Sequence, residues 1–359
     1  MAKRFLLAFP LLFFLFFTRS GQAQEISAPK YSNEFLNIGV GARALGMGGV
    51  QSAIVRDATA GFWNPAGLVG LPKRHNVSYM HSELFAGIIK NDFGSYATNL
   101  DSTSALAFSV IRSGVDDIAD TRRLQNEYGA IQYDSIEFFS VADYAFLASY
   151  ARRSNWLPGL TLGANAKIIY RNVGDFASAW GFGLDAGAQL RRGNWQFGVM
   201  AKDITTTFTA WKLNPDELES TYLQEANSFN TNSIEVTLPR LILGAGRSFQ
   251  MTDRFSATVA TDLDITFDGK RNTLLATGVV SVDPRVGFEL GYSNTVFLRG
   301  GINNIQQFEN LDGKGSWKVQ PNFGVGVATH GLLLDLALSK VADNSQASSL
   351  IVSVAYSFD

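Results

Sequence analysis

The chain of 359 residues has no cysteine and only three histidines. Without cysteine there is no disulfide, no thiolate metal site and no acylated anchor. His75, His81 and His330 are too scattered to form a ligand set; His75 and His81 share strand parity but stand too far apart along one strand to chelate together. No Gly-x-Ser-x-Gly elbow occurs. Gly46-Met47-Gly48-Gly49 lacks the Lys-Ser/Thr of a phosphate loop and the strand and helix that flank a dinucleotide fingerprint. A basic patch is missing too. Once Lys3, Arg4 and Arg19 of the leader are set aside, 27 basic residues face 32 acidic ones, which argues against nucleic acid. These absences leave no catalytic residue, no cofactor and no metal to assign, and the chain reads as a non-enzyme.

Long apolar runs are equally scarce. One spans Phe5–Phe17, preceded by Lys3 and Arg4 and followed by Gly21-Gln22-Ala23. That pattern predicts a secretory signal peptide over residues 1–23, with the mature chain starting at Gln24. No other stretch reaches the ~20 residues a spanning helix needs.

What the chain has instead is alternation, with 34 Gly and 27 Phe. Period-2 patterning is clearest in Leu160–Tyr170, Gly181–Arg191, Phe255–Asp264, Val286–Tyr292, Phe323–Thr329, Leu332–Ser339 and Leu350–Phe358. Less regular segments are His75–Phe85, Ile88–Asn99, Ser104–Ser113, Val141–Arg152, Trp195–Lys202, Arg240–Phe249, Leu274–Val282 and Phe297–Asn303. One face of these segments carries Leu, Val, Phe and Ala. The other carries Gly, Asp, Asn and Lys, the apolar-out and polar-in arrangement of a transmembrane barrel. The expected fold is therefore all-β: a transmembrane antiparallel outer-membrane β-barrel of about 14 strands. Pro284 leaves open whether Val279–Tyr292 is one strand or two.

Ahead of the strands lies a different kind of sequence, Phe35–Leu71, too rich in glycine for a stable helix and not alternating enough for a strand. Asn64-Pro65-Ala66-Gly67 suits either a type I turn or a helix start with Asn64 as N-cap. Asp57 is placed to cap a short helical turn over Ala58–Trp63. The expectation is a small N-terminal plug of short helices and turns inside the lumen. Residues 24–71 form lead-in and plug, and residues 72–359 the barrel. Arg43, Gly46, Gly48, Gly49, Trp63, Asn64, Pro65, Ala66 and Gly67 are its motif residues.

The run GARALGMGG, then D-A-T-A-G-F-W-N-P-A-G-L, resembles the N-terminal signature of PorV/PorQ-like outer-membrane proteins within the FadL-like barrel superfamily. Weaker landmarks continue to Leu334-Asp335. The resemblance implies a 14-stranded monomeric barrel in the cell outer membrane, surrounded by lipid. It also implies a protein-binding component of the type IX secretion system, engaging cargo signal domains or translocon and attachment partners. The alternative it leaves is a FadL-like channel taking up small hydrophobic compounds.

On the alternation, Lys167, Asp185, Asp262, Glu289, Arg299 and Asp335 face the lumen. The expectation is an ion-pair network fixing plug to wall, with a polar conduit as the alternative. The longest connections are Gly114–Ser140 and Asp203–Pro239, the latter with a helix start at Asn214-Pro215-Asp216-Glu217. Their aromatics, Tyr128, Tyr133, Phe138, Trp211, Tyr222 and Phe229, are the candidate partner-binding residues, since aromatics among polar groups supply most interface energy.

Overall fold

The computed structural model describes residues 32–126, 128–215, 232–309, 315–340 and 348–359. Its strands are β1 (His75–Leu84), β2 (Ile89–Asn99), β3 (Ser104–Asp120), β4 (Glu137–Arg153), β5 (Leu160–Val173) and β6 (Ala177–Arg192). They continue with β7 (Trp195–Lys202), β8 (Thr207–Leu213), β9 (Asn232–Thr237), β10 (Arg240–Gln250), β11 (Phe255–Thr266) and β12 (Leu275–Ala276). The last five are β13 (Ser281–Tyr292), β14 (Val296–Glu309), β15 (Gly315–Thr329), β16 (Leu332–Lys340) and β17 (Ser348–Phe358).

Every neighbouring pair is antiparallel, and β17 returns to β1 with His75 opposite Phe358, so the sheet closes. β8 prolongs the line of β7 beside β6, β9 prolongs that of β10, and β12 is a two-residue edge. What remains is a closed barrel of 14 staves. Closure removes the free edge strands of an open sheet, although upper segments such as β9 keep an unpaired side among the described residues.

Both described ends of the sheet, His75 and Phe358, lie at one rim, where the connections are short. Gly193-Asn194 and His330-Gly331 turn the chain in two residues there, with φ of 57° at Gly193 and 47° and 85° at His330 and Gly331. In membrane barrels the short turns are periplasmic. His75 stacks between Tyr96 and Phe358 on this rim, and Tyr356 stacks on Phe358, as in an interfacial aromatic girdle.

Alternation places side chains as the sequence requires. On β5, Asn165 and Lys167 are buried while Leu162 and Ile168 face outward; on β17, Ile351 and Ser353 are inward and Leu350 and Val352 outward. β13 is one strand. The β13–β14 ladder stops at Val286, so Pro284 has a neighbouring strand on one side only, where its missing N–H is tolerated.

Three expectations need correction. Leu274–Val282 is not a strand of its own: only Leu275–Ala276 pairs, against the start of β13. Asp203–Pro239 is not one loop, because Thr207–Leu213 and Asn232–Thr237 extend the wall as β8 and β9. Gly114–Ser140 shrinks to residues 121–136, since β3 runs on past an irregularity at Asp116–Asp117 and β4 begins at Glu137. The residues 216–231, including most of the helix expected after Asn214, lie outside the described residues, as do residues 1–31 with the expected signal peptide.

Inside the barrel, Asn33–Leu71 folds as a 3-10 turn (Glu34–Asn37), two short helices (Ala42–Gly46 and Ala60–Trp63) and a second 3-10 turn (Pro65–Gly70). Helices of one turn are not stable alone. Here they are held by burial: Val40, Ala42, Val55, Ala58, Ala60 and Leu68 are almost inaccessible, packed against inward-facing Met80, Phe93, Ala107, Ile111 and Leu147 of the wall, while Met47, Val50 and Ile54 cluster with Ala260.

Candidate functional site

The plug meets the wall through backbone as much as side chain. Gly48 takes φ +70°, and a Cβ there would stand 3.1 Å from the Ile302 amide nitrogen of β14. Across the lumen, a Cβ on Gly163 of β5 would come within 2.4 Å of the Ala66 nitrogen. Gly46 lies against Gly324 of β15 in the same manner, and Gly49 and Gly67 are hemmed in by Trp63 and Val55. Trp63 donates from its indole N–H to the Val40 carbonyl at 2.9 Å.

Asn64 caps the Pro65–Gly70 turn. Its Oδ1 accepts from the Ala66 N–H at 3.2 Å and its carbonyl from the Gly67 N–H at 2.9 Å, so Asn64 caps a 3-10 start whose first i-to-i+3 bond is also that of a turn. Its Nδ2 donates to the Ser52 carbonyl at 2.8 Å and to Ala188 of β6 at 3.1 Å. One side chain thereby joins turn, plug and wall. Asp57 accepts from the Thr59 N–H at 2.8 Å, but the helix it was expected to cap begins at Ala60 instead of Ala58, with Thr59 in the N-cap position.

The six lumen charges divide into three sets. Arg43 Nε of the plug donates to Glu289 Oε2 at 2.8 Å; Arg299 reaches the same oxygen at 2.6 Å and Asp335 Oδ1 at 2.6 Å. Burial works against the Arg43 charge, yet the Glu289 carboxylate outweighs it and holds the guanidinium above its ordinary pKa. Asp262 accepts from the N–H groups of Gln51 and Ser52, at 3.0 and 3.1 Å, and from the Ser52 hydroxyl at 2.6 Å. These two sets tie plug to wall. Lys167 instead bridges Asp185 at 2.8 Å and Asp203 at 2.6 Å, within the wall itself.

Asp203 marks the feature that sequence reasoning missed. Between β7 and β8 the chain breaks ladder at 203–206, with φ of 55° at Asp203 and 61° at Thr206. Opposite, Leu238-Pro239 separates β9 from β10. β10 pairs with both β7 and β11, whereas among the described residues β9 pairs with β8 alone. Above Arg240 the wall therefore has an unpaired edge. Behind it lies a small cavity of about 50 Å³ in which Leu36, Phe62, Leu147, Leu238, Pro239 and Phe267 stand among charged residues that include Lys167, Asp203, Arg240 and Arg271. It adjoins a larger outer vestibule of about 460 Å³, with which it shares Asn37, Arg240, Thr266 and Arg271. Ser32 and Asn33 lie along the break, each bonded to the Thr237 hydroxyl at 2.6 Å. The only sequence signal for this break was Pro239 after a long polar stretch.

The expected partner aromatics do not form one surface. Tyr128, Tyr133 and Phe138 are exposed, beyond or near the top of β3 and β4. Trp211 is a wall residue of β8, covered by the Arg171 guanidinium at 4.9 Å and donating to Glu235 at 2.9 Å, so it is not a loop anchor. Tyr222 and Phe229 lie outside the described residues.

No family model and no curated protein matches the chain. Solved structures do. The CymD monoaromatic hydrocarbon channel superposes with a TM-score of 0.56 at 14% identity, over 89% of this chain and 98% of that one. The Pseudomonas putida toluene transporter TodX gives 0.54 at 15% identity, over 89% and 99%. The Ralstonia pickettii toluene transporter TbuX gives 0.51 at 11%, over 89% and 99%. At such identities the likeness speaks for fold alone. It does not show the PorV/PorQ-like family. The chain has the closed 14-strand antiparallel barrel fold that these channels and transporters share.

Proposed function

We propose that the protein is an outer-membrane channel for small hydrophobic compounds, which leave the lumen sideways through the wall beside β9. The observation that carries this reading is the coincidence of an interrupted wall with a cavity behind it lined in part by Leu36, Phe62, Leu147 and Phe267. At plug level the lumen is crossed by ion pairs and by backbone-to-wall contacts, a poor surface for a hydrocarbon. A lateral route bypasses the Arg43–Glu289–Arg299 layer, passes the Lys167–Asp203 pair at the break, and delivers an apolar solute directly to lipid, where burial from water favours it. Channels for monoaromatic hydrocarbons share the fold, which supports the same solute class.

The other reading, a type IX secretion component of PorV/PorQ-like kind, rests on the plug signature. With Trp211 committed to the wall, its described aromatic surface reduces to Tyr128, Tyr133 and Phe138.

The test is the initial rate of radiolabelled toluene uptake by cells lacking their own hydrocarbon channel and expressing this chain. Uptake should exceed the vector control. It should fall towards that control in Leu36→Trp, which fills the cavity, at equal yield of heat-modifiable barrel. No gain from the parent chain would end the channel reading. Full uptake by Leu36→Trp would move the path away from β9.

A further inference from the structure

Lumenal arginines in this barrel come with carboxylates. Arg43 and Arg299 share Glu289, Arg171 pairs with Asp143 at 2.8 Å, and Arg240 and Arg285 both reach Asp264. At the periplasmic rim the pattern breaks. Arg56 of the plug, Arg153 at the end of β4 and Arg191 near the end of β6 line one cavity of about 290 Å³. Thr161, Gln189 and Gln196 complete its polar lining, and no aspartate or glutamate lines it.

The strand parity is unambiguous. Arg153 shares the inward face of β4 with the buried Ser149 and Ala151, and Arg191 that of β6 with the buried Asp185. None of the three forms an ion pair among the described residues. Arg56 has a single long hydrogen bond, to Gln196 Oε1 at 3.4 Å. Arg56 is partly buried while Arg153 and Arg191 are exposed at the mouth, so water screens their mutual repulsion, and an anion entering the cavity is attracted by all three charges. The planar fork of a guanidinium matches oxyanions two oxygens at a time. Because the cavity faces the lumen, headgroups of the surrounding lipid are on the wrong side of the wall.

We propose that this cavity binds the phosphate group of a soluble compound presented from the periplasmic side. The site stands apart from the channel reading: it lies at the opposite rim from the β9 break and needs no transported hydrocarbon. Gln189 is already engaged, donating to the Ser52 carbonyl at 3.0 Å, and so fixes the plug loop that carries Arg56 against the β6 wall. The arginines are thus mounted on a braced frame.

The experiment is calorimetric titration of the folded mature protein, in neutral detergent, with inorganic phosphate. Saturable binding is expected, weakened at least tenfold in Arg153→Gln/Arg191→Gln and weakened also in each single variant. Arg192→Gln removes a charge from the next residue, on the outward face, and should bind like the parent. Arg191→Lys keeps the charge without the fork and should fall between. Heat-modifiability confirms folding of each variant, and the single variants carry the test if the double variant does not fold. Absence of saturable binding by the parent would overturn the proposal, as would equal loss in Arg192→Gln. Competition by phosphatidylglycerol in mixed micelles would place the anion at the membrane surface and overturn the lumenal assignment.

Discussion

Arg43 on the plug donates to Glu289 on the wall at 2.8 Å, and this pair is the inner end of a four-charge chain. Glu289 also holds Arg299, which holds Asp335. Removing one partner of a buried pair typically costs about 3–5 kcal/mol, because the remaining charge is stranded. Glu289→Ala leaves two guanidinium groups facing one another and should lower markedly the temperature at which the heat-modifiable band shifts. Arg43→Met keeps Arg299 between its two carboxylates and should lower it less.

Packing of plug against wall is tested by adding volume. Gly48→Leu puts a side chain at φ +70° against the Ile302 backbone. Overpacking alone costs about 1–3 kcal/mol. Gly163→Val, from the wall side, meets Pro65 and Ala66. Both variants should assemble poorly or show raised conductance in planar bilayers; a silent bilayer at normal yield would mean the plug is not packed this tightly against the wall.

Lys167 links the ends of the interruption, since Asp185 belongs to β6 and Asp203 to the break. Lys167→Met should destabilise the barrel by about 3–5 kcal/mol by leaving two carboxylates together. A double-mutant cycle with Asp203→Asn should show coupling; additive losses would disconnect the lysine from the break.

Aromatics separate by role. Trp211→Ala loses a cation–π contact and a hydrogen bond to a carboxylate, and should cost about 1–3 kcal/mol of barrel stability. Tyr128→Ala and Tyr133→Ala should leave the melting temperature unchanged, since both side chains are exposed. If these tyrosines instead change what co-purifies from detergent-solubilised membranes, a protein partner is bound there.

The turn at Asp101 gives a pH signature. Its carboxylate accepts from the hydroxyl groups of Ser104 and Thr103 and from their N–H groups, which holds it well below the usual carboxylate range. A depressed carboxylate stabilises its fold fully above its unfolded pKa of about 4, and that contribution is lost as pH falls through the folded value. The protection of the Thr103 and Ser104 amides against exchange, relative to their intrinsic rates, should therefore fall in strong acid and be low at all pH values in Asp101→Ala.

Period-2 alternation was enough to turn Lys167, Asp185 and Arg299 inward, because one apolar face must meet lipid. It was not enough to find β8. Thr207–Leu213 alternates only over a short span, and the chain around it is polar, so the stretch read as a loop. The contacts of Gly163 with Ala66 were invisible for another reason. A glycine in a strand says that something approaches closely, but not from where. Asn64 was legible as a cap; its bond to Ala188 on the wall was not, since the partners are far apart in sequence.

The plug also straddles the place where the sheet closes. The Gly41 N–H meets the sulfur of Met80 on β1, and the Ala42 N–H donates to Ser353 on β17 at 3.1 Å. The first strand and the last are thus both fastened to the segment synthesised ahead of them. The seam between first and last strand is therefore bridged from inside by the stopper. An empty ring would lack the template on which its two terminal strands find their register.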